Sequence, residues 1–216
     1  MPVLLRNGKA ALFIHIPKTG GSSLERDMAD LGWREVLSVR GIAADRLSFL
    51  KASPQHFHAE IMEHVLNFKA FSSIVAITRD PFNRLKSEYY WHFRRSDTWP
   101  DPATWIKDIL CQANEDPNVN DNHIRPQVDF IPKDVDVDLF KLEEDGVRKA
   151  KIAICGGFEE PPKPFLHRLR SPKKEHKKAS KYTPEIEAAF VSQRSMITDF
   201  YAADYARFGY DPAGGS

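Results

Sequence analysis

The sequence predicts an α/β fold, with a central parallel sheet flanked by helices, built as a single domain over residues 1–216. Two apolar runs, residues 10–16 and 71–78, each lead through a short loop into a helical pattern. This alternation is typical of buried parallel strands joined by helices, with the ligand at the carboxyl edge of the sheet. A chain of 216 residues suits one well-buried core and is too short for two ordinary α/β domains.

The loop after the first strand predicts an anion-binding site that leads into a helix over residues 22–31. Two glycines let the backbone approach an oxyanion, two serines can cap the helix, and the first-turn amides point into the loop. Lys18 adds a mobile positive charge. The candidate ligand-binding residues are Pro17, Lys18, Thr19, Gly20, Gly21, Ser22 and Ser23. The lysine of a triphosphate-binding loop follows its glycines, so this loop differs from that pattern, and a plain capped turn is the alternative.

Two histidines stand out between this loop and the next apolar run. The pattern there predicts a strand near residues 35–39, a helical segment over 43–51, a short strand at 56–58 and a helix over 61–68. Alternation would place His56 and His58 on one face of the short strand, opposite Phe57. His15, between apolar neighbours on the first strand, is expected to be structural.

The predicted strand over residues 73–78 ends at a second motif, Arg-Asp-Pro. Asp80 suits the cap and Pro81 the first turn of a helix over residues 82–95, so Arg79 lies at the carboxyl edge of the strand. Ser87 is about two helical turns further on and could share an anionic ligand with Arg79. A purely structural strand-to-helix junction is the alternative.

The second half of the chain predicts mostly helical structure. The pattern indicates a helix over residues 101–112, strands or buried segments at 138–142 and 152–155 around a helix over 143–149, a mobile loop over 161–181, and a closing helix over 184–208 that Gly209 ends. A polar stretch before Val128 contains His123, Arg125 and Gln127, whose donors suit a hydroxyl-rich acceptor. An ordinary structured loop explains that stretch equally well.

Residues 14–23 and 77–87 together resemble the carbohydrate sulfotransferases of the heparan sulfate 2-O-sulfotransferase type (sulfotransferase family 2), including their bacterial relatives. A looser resemblance extends from about residue 10 to about residue 210. It implies the P-loop-like nucleotide-binding fold of sulfotransferases, the donor 3′-phosphoadenosine 5′-phosphosulfate (PAPS), the product adenosine 3′,5′-bisphosphate, and no metal. By position, the first loop would hold the 5′-phosphosulfate with Lys18 as catalytic lysine, and Arg79 and Ser87 would hold the 3′-phosphate.

The same resemblance implies roles for other residues. The base histidine of related enzymes precedes the second motif by a spacing that His58 fits, so His58 is the expected general base, with His56 in reserve and Glu60 as a helper. His123, Arg125 and Gln127 would lie on the acceptor side. A late basic stretch, residues 168–181, resembles a loop that closes over the 3′-phosphate, and its carried-over positions are Lys177, Lys178 and Ser180. A hydrogen-bonded, half-buried structural histidine is the alternative for each histidine.

Physical chemistry supports these roles. When a sulfuryl group is transferred from a phosphosulfate, negative charge develops on the phosphate oxygen. A lysine and preorganised amides placed there stabilise the transition state more than the ground state. A hydroxyl acceptor needs a group to take its proton, and the pKa of imidazole suits that task near neutrality.

Composition excludes several other classes of protein. The formal net charge is +1, and aromatic residues only flank the basic stretch, which argues against a nucleic-acid partner. Cys111 and Cys155 are too few for a disulfide framework or a zinc site, so a reducing, cytoplasmic location is expected. The sequence has no apolar run of about 18 residues and no secretory pattern, so we expect no membrane anchor.

Two other functional classes stay open at this point. A nucleotide-dependent kinase could use Lys18 and Arg79, although the chain lacks an obvious triphosphate loop and magnesium-binding carboxylate. A catalytically silent module that binds nucleotides or glycans is the other alternative.

Overall fold

The computed structural model describes residues 1–39, 42, 44–156 and 183–214. Within these residues, one sheet contains five strands: β1 (Val3–Arg6), β2 (Lys9–Ile14), β3 (Arg34–Val36), β4 (Ser73–Thr78) and β5 (Asp138–Lys141). Their order is β3-β1-β2-β4-β5. The β2–β4 and β4–β5 pairs are parallel, whereas β1 is antiparallel to both β2 and β3. The α/β class is confirmed, and the expected parallel sheet is the β2-β4-β5 side of a mixed one.

β1 and β2 form a hairpin that the predicted elements did not include. Its turn consists of Asn7, with φ 49°, and Gly8, with φ 76°. Asn-Gly is a strongly favoured pair in two-residue hairpin turns, because both positions need positive φ. The dipeptide was therefore a usable sequence signal for an additional strand before the first predicted one.

Most helices of the described residues follow the predicted order with shifted ends, whereas the short one at residues 119–122 was not predicted. They are α1 (Gly21–Asp30), α2 (Ala59–Val65), α3 (Pro81–Phe93), α4 (Pro102–Glu115), α5 (Val119–Asn122), α6 (Gly146–Ile154), α7 (Pro184–Ser192), α8 (Arg194–Phe200) and α9 (Ala202–Phe208). Asp80 and Asp101 each accept a hydrogen bond from a first-turn amide, and a proline follows each of them. This Asp-Pro pattern explains why α3 and α4 begin where the sequence predicted.

Several local predictions were wrong. Residues 54–56 form a 3₁₀ turn and His58 precedes α2, so the expected strand at 56–58 is absent. Residues 152–154 end α6 and do not form a strand. The closing helix is three helices, α7 to α9, although Gly209 does end the last of them with φ 63°. The predicted loop over residues 161–181 lies outside the described residues.

The sheet is covered by helices on both faces. Leu12 and Ile14 of β2 pack in a cluster that includes α2 and α9, whereas Phe13 packs on the other face with α1 and α6. This alternation is what the two-residue repeat of a strand dictates. A third apolar cluster joins α3 and α4 to α7, α8 and α9. None of the helices described is both long enough and apolar enough to cross a bilayer.

The sheet brings the two motif loops together. β2 and β4 are parallel neighbours, with Ile14 opposite Ala76, so both strands end at the same edge. The first loop and Arg79 follow those two ends, and the structure therefore sets them side by side.

Candidate active site

A cleft of about 860 Å³ opens at this edge of the sheet. The predicted site residues that line it are Pro17, Lys18, Gly20, Gly21, Ser22, Ser23, His56, Arg79, Ser87 and His123. Four others are not among the lining residues: Thr19, His58, Arg125 and Gln127. Lys177, Lys178 and Ser180 lie outside the described residues.

Lys18 and Arg79, the two predicted cations, are in direct contact. The Arg79 guanidinium donates from Nη1 to the backbone carbonyl of Lys18 at 3.2 Å. Lys18 has a φ of 68°, a left-handed conformation that side chains other than glycine rarely adopt and that often occurs at functional sites. Its Nζ lies 5.0 Å from the ring centre of Trp91, within cation–π range. The backbone of Lys18 is therefore held by Arg79, and its ammonium group lies beside Trp91 at the cleft.

The first loop ends in the amino terminus of α1. Gly20, with φ 96°, is the cap residue and no side chain caps the helix, so the expected serine cap is wrong. Ser22 and Ser23 are exposed instead. The Ser23 amide donates to the Gly20 carbonyl at 2.9 Å, whereas Gly21 and Ser22, which precede it in the first turn, lie at the cleft, where their amides can donate to an anion.

Both glycines of the loop are required by close neighbours. A Cβ added to Gly20 would lie 2.9 Å from Leu142 Cδ1, and a Cβ on Gly21 would overlap the His15 imidazole. His15 is buried and its Nδ1 is 2.5 Å from Oε1 of buried Glu25. This ring therefore lies against the loop backbone, which fits the structural role expected for His15.

Thr19 does not face the cleft. Its side chain is buried, and Oγ1 donates to the Ile16 carbonyl at 2.9 Å. The expected ligand contact of this side chain is therefore replaced by a hydrogen bond that closes the loop on itself.

His56 faces the cleft and is paired with a carboxylate. Its Nδ1 is 2.7 Å from Asp121 Oδ2. Asp121 also accepts hydrogen bonds from the Ser53 amide at 2.5 Å and the Ser53 hydroxyl at 2.8 Å. With the proton on Nδ1 donated to Asp121, Nε2 retains the lone pair with which it can accept a proton. The pair has the arrangement of a base and the group that orients it.

Burial and hydrogen bonding set the charges of this pair. Burial lowers the pKa of His56 to about 3, although the hydrogen bond to Asp121 acts in the opposite direction. Burial alone would raise the pKa of Asp121, but hydrogen bonds from His56 and Ser53 lower it to about 2. At neutral pH the imidazole is therefore neutral and the carboxylate ionised.

An unusual backbone brings Asp121 to His56. Three consecutive residues, Asn120, Asp121 and Asn122, have φ angles of 52°, 58° and 64°. Asn and Asp are the residues other than glycine that best tolerate this left-handed conformation. Asn122 is also fully buried and donates to the His56 carbonyl at 2.8 Å. The side chains of Asp121 and Asn122 thus join this turn to the His56 segment.

A second histidine–carboxylate pair lies next to the first. His123 Nδ1 is 2.7 Å from Oε2 of Glu88, which is fully buried on α3. Burial would raise the pKa of Glu88, but the hydrogen bond from His123 and the charges of His123, Lys18 and His92 together lower it. The His56 and His123 ring centres are 4.9 Å apart, and Trp91 lies 4.9 Å beyond His123.

The structure does not bring His58, the expected general base, to the cleft wall. His58 caps α2; its Nδ1 is 3.4 Å from Asn122 Nδ2 and its Nε2 is 3.7 Å from Glu60 Oε2. Burial and, next, the charge of Arg125 lower its pKa. The strand expected to align His58 with His56 is replaced by a 3₁₀ turn, so the two rings do not share a face.

Arg125 and Gln127 also lie away from the cleft. Arg125 donates from Nε to Asn122 at 2.9 Å, which supports the left-handed turn. Gln127 is fully buried, and its side-chain amide hydrogen-bonds the backbone of Arg79. Both residues therefore support the site from behind, and neither lines the cleft.

One group of side chains could hold a metal ion. His56, Asp121 and His123 each offer a ligand atom, and these atoms lie within 4.8 Å of one another. A tetrahedral ion with bonds of about 2.1 Å needs ligand atoms about 3.4 Å apart. His56 Nδ1 and Asp121 Oδ2 are only 2.7 Å apart, so an ion could bind both atoms only if their hydrogen bond were broken. The observed hydrogen bond instead suits proton transfer by His56.

Sequence reasoning missed the carboxylates and Trp91. Asp121 was within the polar stretch that the sequence singled out, but its pairing with His56 spans 65 residues and leaves no local signal. Glu88 and Trp91 follow Ser87 on the same helix, so their helical positions were predictable and their partners were not.

The comparisons with known proteins identify a family for this chain. A family model described as the sulfotransferase family matches residues 5–211 of the chain. Neither the curated proteins nor the solved structures give a match. The family match covers nearly all the described elements, from β1 to α9, and includes both loops that line the cleft. This chain therefore belongs to the sulfotransferase family.

Proposed function

We propose that the protein transfers a sulfuryl group from 3′-phosphoadenosine 5′-phosphosulfate to a hydroxyl group, and that the acceptor is a carbohydrate. The observation that supports this function best is the convergence of Lys18, Arg79 and His56 on one cleft. The donor has anionic groups at the 3′ and 5′ positions of its ribose, which suits two neighbouring cationic residues such as Lys18 and Arg79. The carbohydrate acceptor follows from the sequence resemblance.

The cleft fits this donor in size and in donor groups. A volume of about 860 Å³ is within the usual range for sites that bind nucleotide-sized ligands. The first-turn amides of α1 and Lys18 suit the 5′-phosphosulfate, and Arg79 with Ser87 suits the 3′-phosphate. A Cβ at Gly20 would crowd the Leu142 side chain, and a Cβ at Gly21 would overlap the His15 ring. Lys177, Lys178 and Ser180 remain candidates for the 3′-phosphate from the resemblance alone.

When bound, the donor supplies the sulfuryl group and leaves as adenosine 3′,5′-bisphosphate. Lys18 and the amides of the first loop compensate the charge that develops on the oxygen where the sulfur–oxygen bond breaks. The backbone of Lys18 is positioned before the reaction, because Arg79 holds its carbonyl. Preorganised donors of this kind stabilise the transition state without further rearrangement.

His56 is the general base in this proposal. Its Nε2 takes the proton of the attacking hydroxyl while Nδ1 donates to Asp121, which stabilises the imidazolium as it forms. Asp121 is in turn held by Ser53. His123, whose Nδ1 is held by Glu88, is close enough to contact the same acceptor.

Sulfate transfer can be tested directly. The protein is incubated with isotope-labelled PAPS and a panel of oligosaccharides and small alcohols, and products are identified by mass spectrometry. We expect a sulfated carbohydrate from the wild-type protein and from Lys107→Ala, a change on the exposed face of α4. Lys18→Ala and His56→Gln should each lower the rate by a factor of about 10² or more.

Two results would contradict the proposal. Phosphate transfer from magnesium ATP to the same acceptors, without sulfate transfer, would identify a kinase. Adenosine 3′,5′-bisphosphate binding without transfer to any acceptor would favour the catalytically silent module.

A further inference from the structure

Arg84 is a buried cation directly beneath the cleft. It lies on α3, one turn after Arg79-Asp80-Pro81, and only 1% of its surface is exposed. Nε donates to the Pro17 carbonyl at 3.0 Å, and Nη2 donates to the His123 carbonyl at 2.9 Å. One guanidinium therefore joins the first loop to the segment that contains His123.

The bond to Pro17 acts on Lys18. The Pro17 carbonyl belongs to the peptide bond that enters Lys18, and the Lys18 carbonyl is held by Arg79. Arg84 thus fixes the peptide group before Lys18, and Arg79 fixes the peptide group after it. Lys18 has a strained φ of 68°, which persists only where its surroundings determine it.

The charge of Arg84 has an unusual environment for a buried arginine. Both hydrogen bonds go to neutral carbonyls, and among the described residues Nη1 has no hydrogen-bond partner. The Tyr201 ring centre lies 5.9 Å from the guanidinium carbon. Arg84 also acts to lower the pKa of the buried Asp204 carboxylate without a hydrogen bond to it, so a negative charge compensates the guanidinium while its donors serve the two carbonyls at the cleft.

We propose that Arg84 is a positioning residue that sets Lys18 and His123 at a fixed spacing across the cleft. The inference rests on the proposed function, because it assigns the two residues to opposite reactants, donor and acceptor. A planar guanidinium spans two carbonyls in a fixed geometry, whereas the single ammonium of a lysine does not. A misplacement of about 1 Å in such a site can lower the rate about a hundredfold.

The test separates positioning from donor binding. Arg84→Lys keeps the positive charge but loses the planar group that joins the Pro17 and His123 carbonyls. Tyr201→Phe is the matched control, because it removes a buried hydrogen bond to the adjacent Ile124 carbonyl and leaves both Arg84 bonds intact. Thermal unfolding, calorimetric affinity for adenosine 3′,5′-bisphosphate, KM for PAPS and kcat are measured for each.

For Arg84→Lys we expect kcat to fall at least about tenfold, while nucleotide affinity and KM for PAPS stay within about threefold. Tyr201→Phe should lower the unfolding temperature and keep kcat within about threefold. A folded Arg84→Lys protein with wild-type kcat overturns the inference. So does an equal loss of kcat and nucleotide affinity, since that would indicate general damage to the donor site.

If Arg84→Lys does not fold, the wild-type protein provides the test. The Nε–H signal of Arg84 is followed by NMR in arginine-labelled protein while adenosine 3′,5′-bisphosphate is added. A shift of this buried signal is expected, because its acceptor is part of the first loop, and an unchanged signal overturns the inference. Failure of the proposed function is distinguished by a wild-type protein that transfers no sulfate at all.

Discussion

The side-chain amide of Gln127 makes two hydrogen bonds with the backbone of Arg79. The Arg79 amide donates to Oε1 at 2.9 Å, and Nε2 donates to the Arg79 carbonyl at 2.8 Å. The Asp204 carboxylate accepts a hydrogen bond from the same Nε2 at 3.2 Å and another from the backbone N–H of Gln127 at 2.9 Å. Burial raises the pKa of Asp204, although Arg84 and these hydrogen bonds act against the rise. The backbone of Arg79 is therefore held at the cleft by a residue that does not line it.

Gln127→Met should weaken nucleotide binding without removing any group that contacts the nucleotide. The change leaves the Arg79 backbone groups unpaired, which costs about 1–3 kcal/mol of stability per buried group. We expect a loss of about tenfold in affinity for adenosine 3′,5′-bisphosphate, measured by calorimetry. Gln112→Met, on the exposed side of α4, is the control. Unchanged affinity in a folded Gln127→Met protein would show that Arg79 does not need this support.

The two loops were predictable from sequence because their chemistry is local. Asp80 and Pro81 fix the start of α3, and the glycines of the first loop are adjacent to the strand that they follow. Both loops then reach one cleft because β2 and β4 are parallel neighbours, a relationship that strand–helix alternation predicts.

The parts of the site that depend on distant pairings were not predictable. Alternation along a strand predicted that His56 and His58 share a face, and the resemblance assigned their roles. Pro54 begins a 3₁₀ turn there instead. The partners of His56 and His123 are 65 and 35 residues away in the chain. The left-handed run at Asn120 to Asn122 had a compositional hint, since Asn and Asp tolerate that backbone, but its length did not follow from composition.

His56→Gln and His58→Gln distinguish the base in the cleft from the histidine behind it. Loss of a general base lowers the rate by about 10² to 10⁴, so His56→Gln should do so while affinity for adenosine 3′,5′-bisphosphate is retained. His58→Gln should lower kcat less than about tenfold, because His58 does not line the cleft. The reverse ranking of the two kcat values would restore His58 as the base.

Acid should destabilise the protein partly through His56. The pKa of His56 is about 3 in the folded state and about 6.5 in the unfolded chain, so below pH 6.5 the unfolded state binds more protons. The free energy of unfolding should fall by roughly 2 kcal/mol from this group between pH 7 and pH 5. Asp121, whose folded pKa is about 2, adds to the loss only below about pH 4.

Urea unfolding at pH 7 and pH 5 measures this effect. His56→Gln should show a smaller decrease than the wild-type protein, because glutamine does not titrate. His64→Gln, which changes an exposed histidine on α2, should behave as wild type. An equal decrease in the wild-type and His56→Gln proteins would contradict the buried, neutral state of His56.

Gly21→Ala should damage the first loop through His15. The added Cβ would overlap the imidazole, which Glu25 holds in place, so either the ring or the loop must move. We expect a loss of about 1–3 kcal/mol in stability, from urea unfolding, together with weaker adenosine 3′,5′-bisphosphate binding. Asn114→Ala, on the exposed side of α4 and away from the cleft, is the control. Wild-type stability and affinity in Gly21→Ala would mean that the loop does not depend on this contact.

Calorimetric titration with adenosine 3′,5′-bisphosphate, alongside magnesium ATP, tests most directly whether Lys18 and Arg79 form one donor site. The account predicts saturable binding of the bisphosphate, much weaker binding of ATP, and a loss of at least about tenfold in bisphosphate affinity for both Lys18→Ala and Arg79→Ala. Equal or tighter binding of magnesium ATP, or bisphosphate binding that neither substitution weakens, would contradict it.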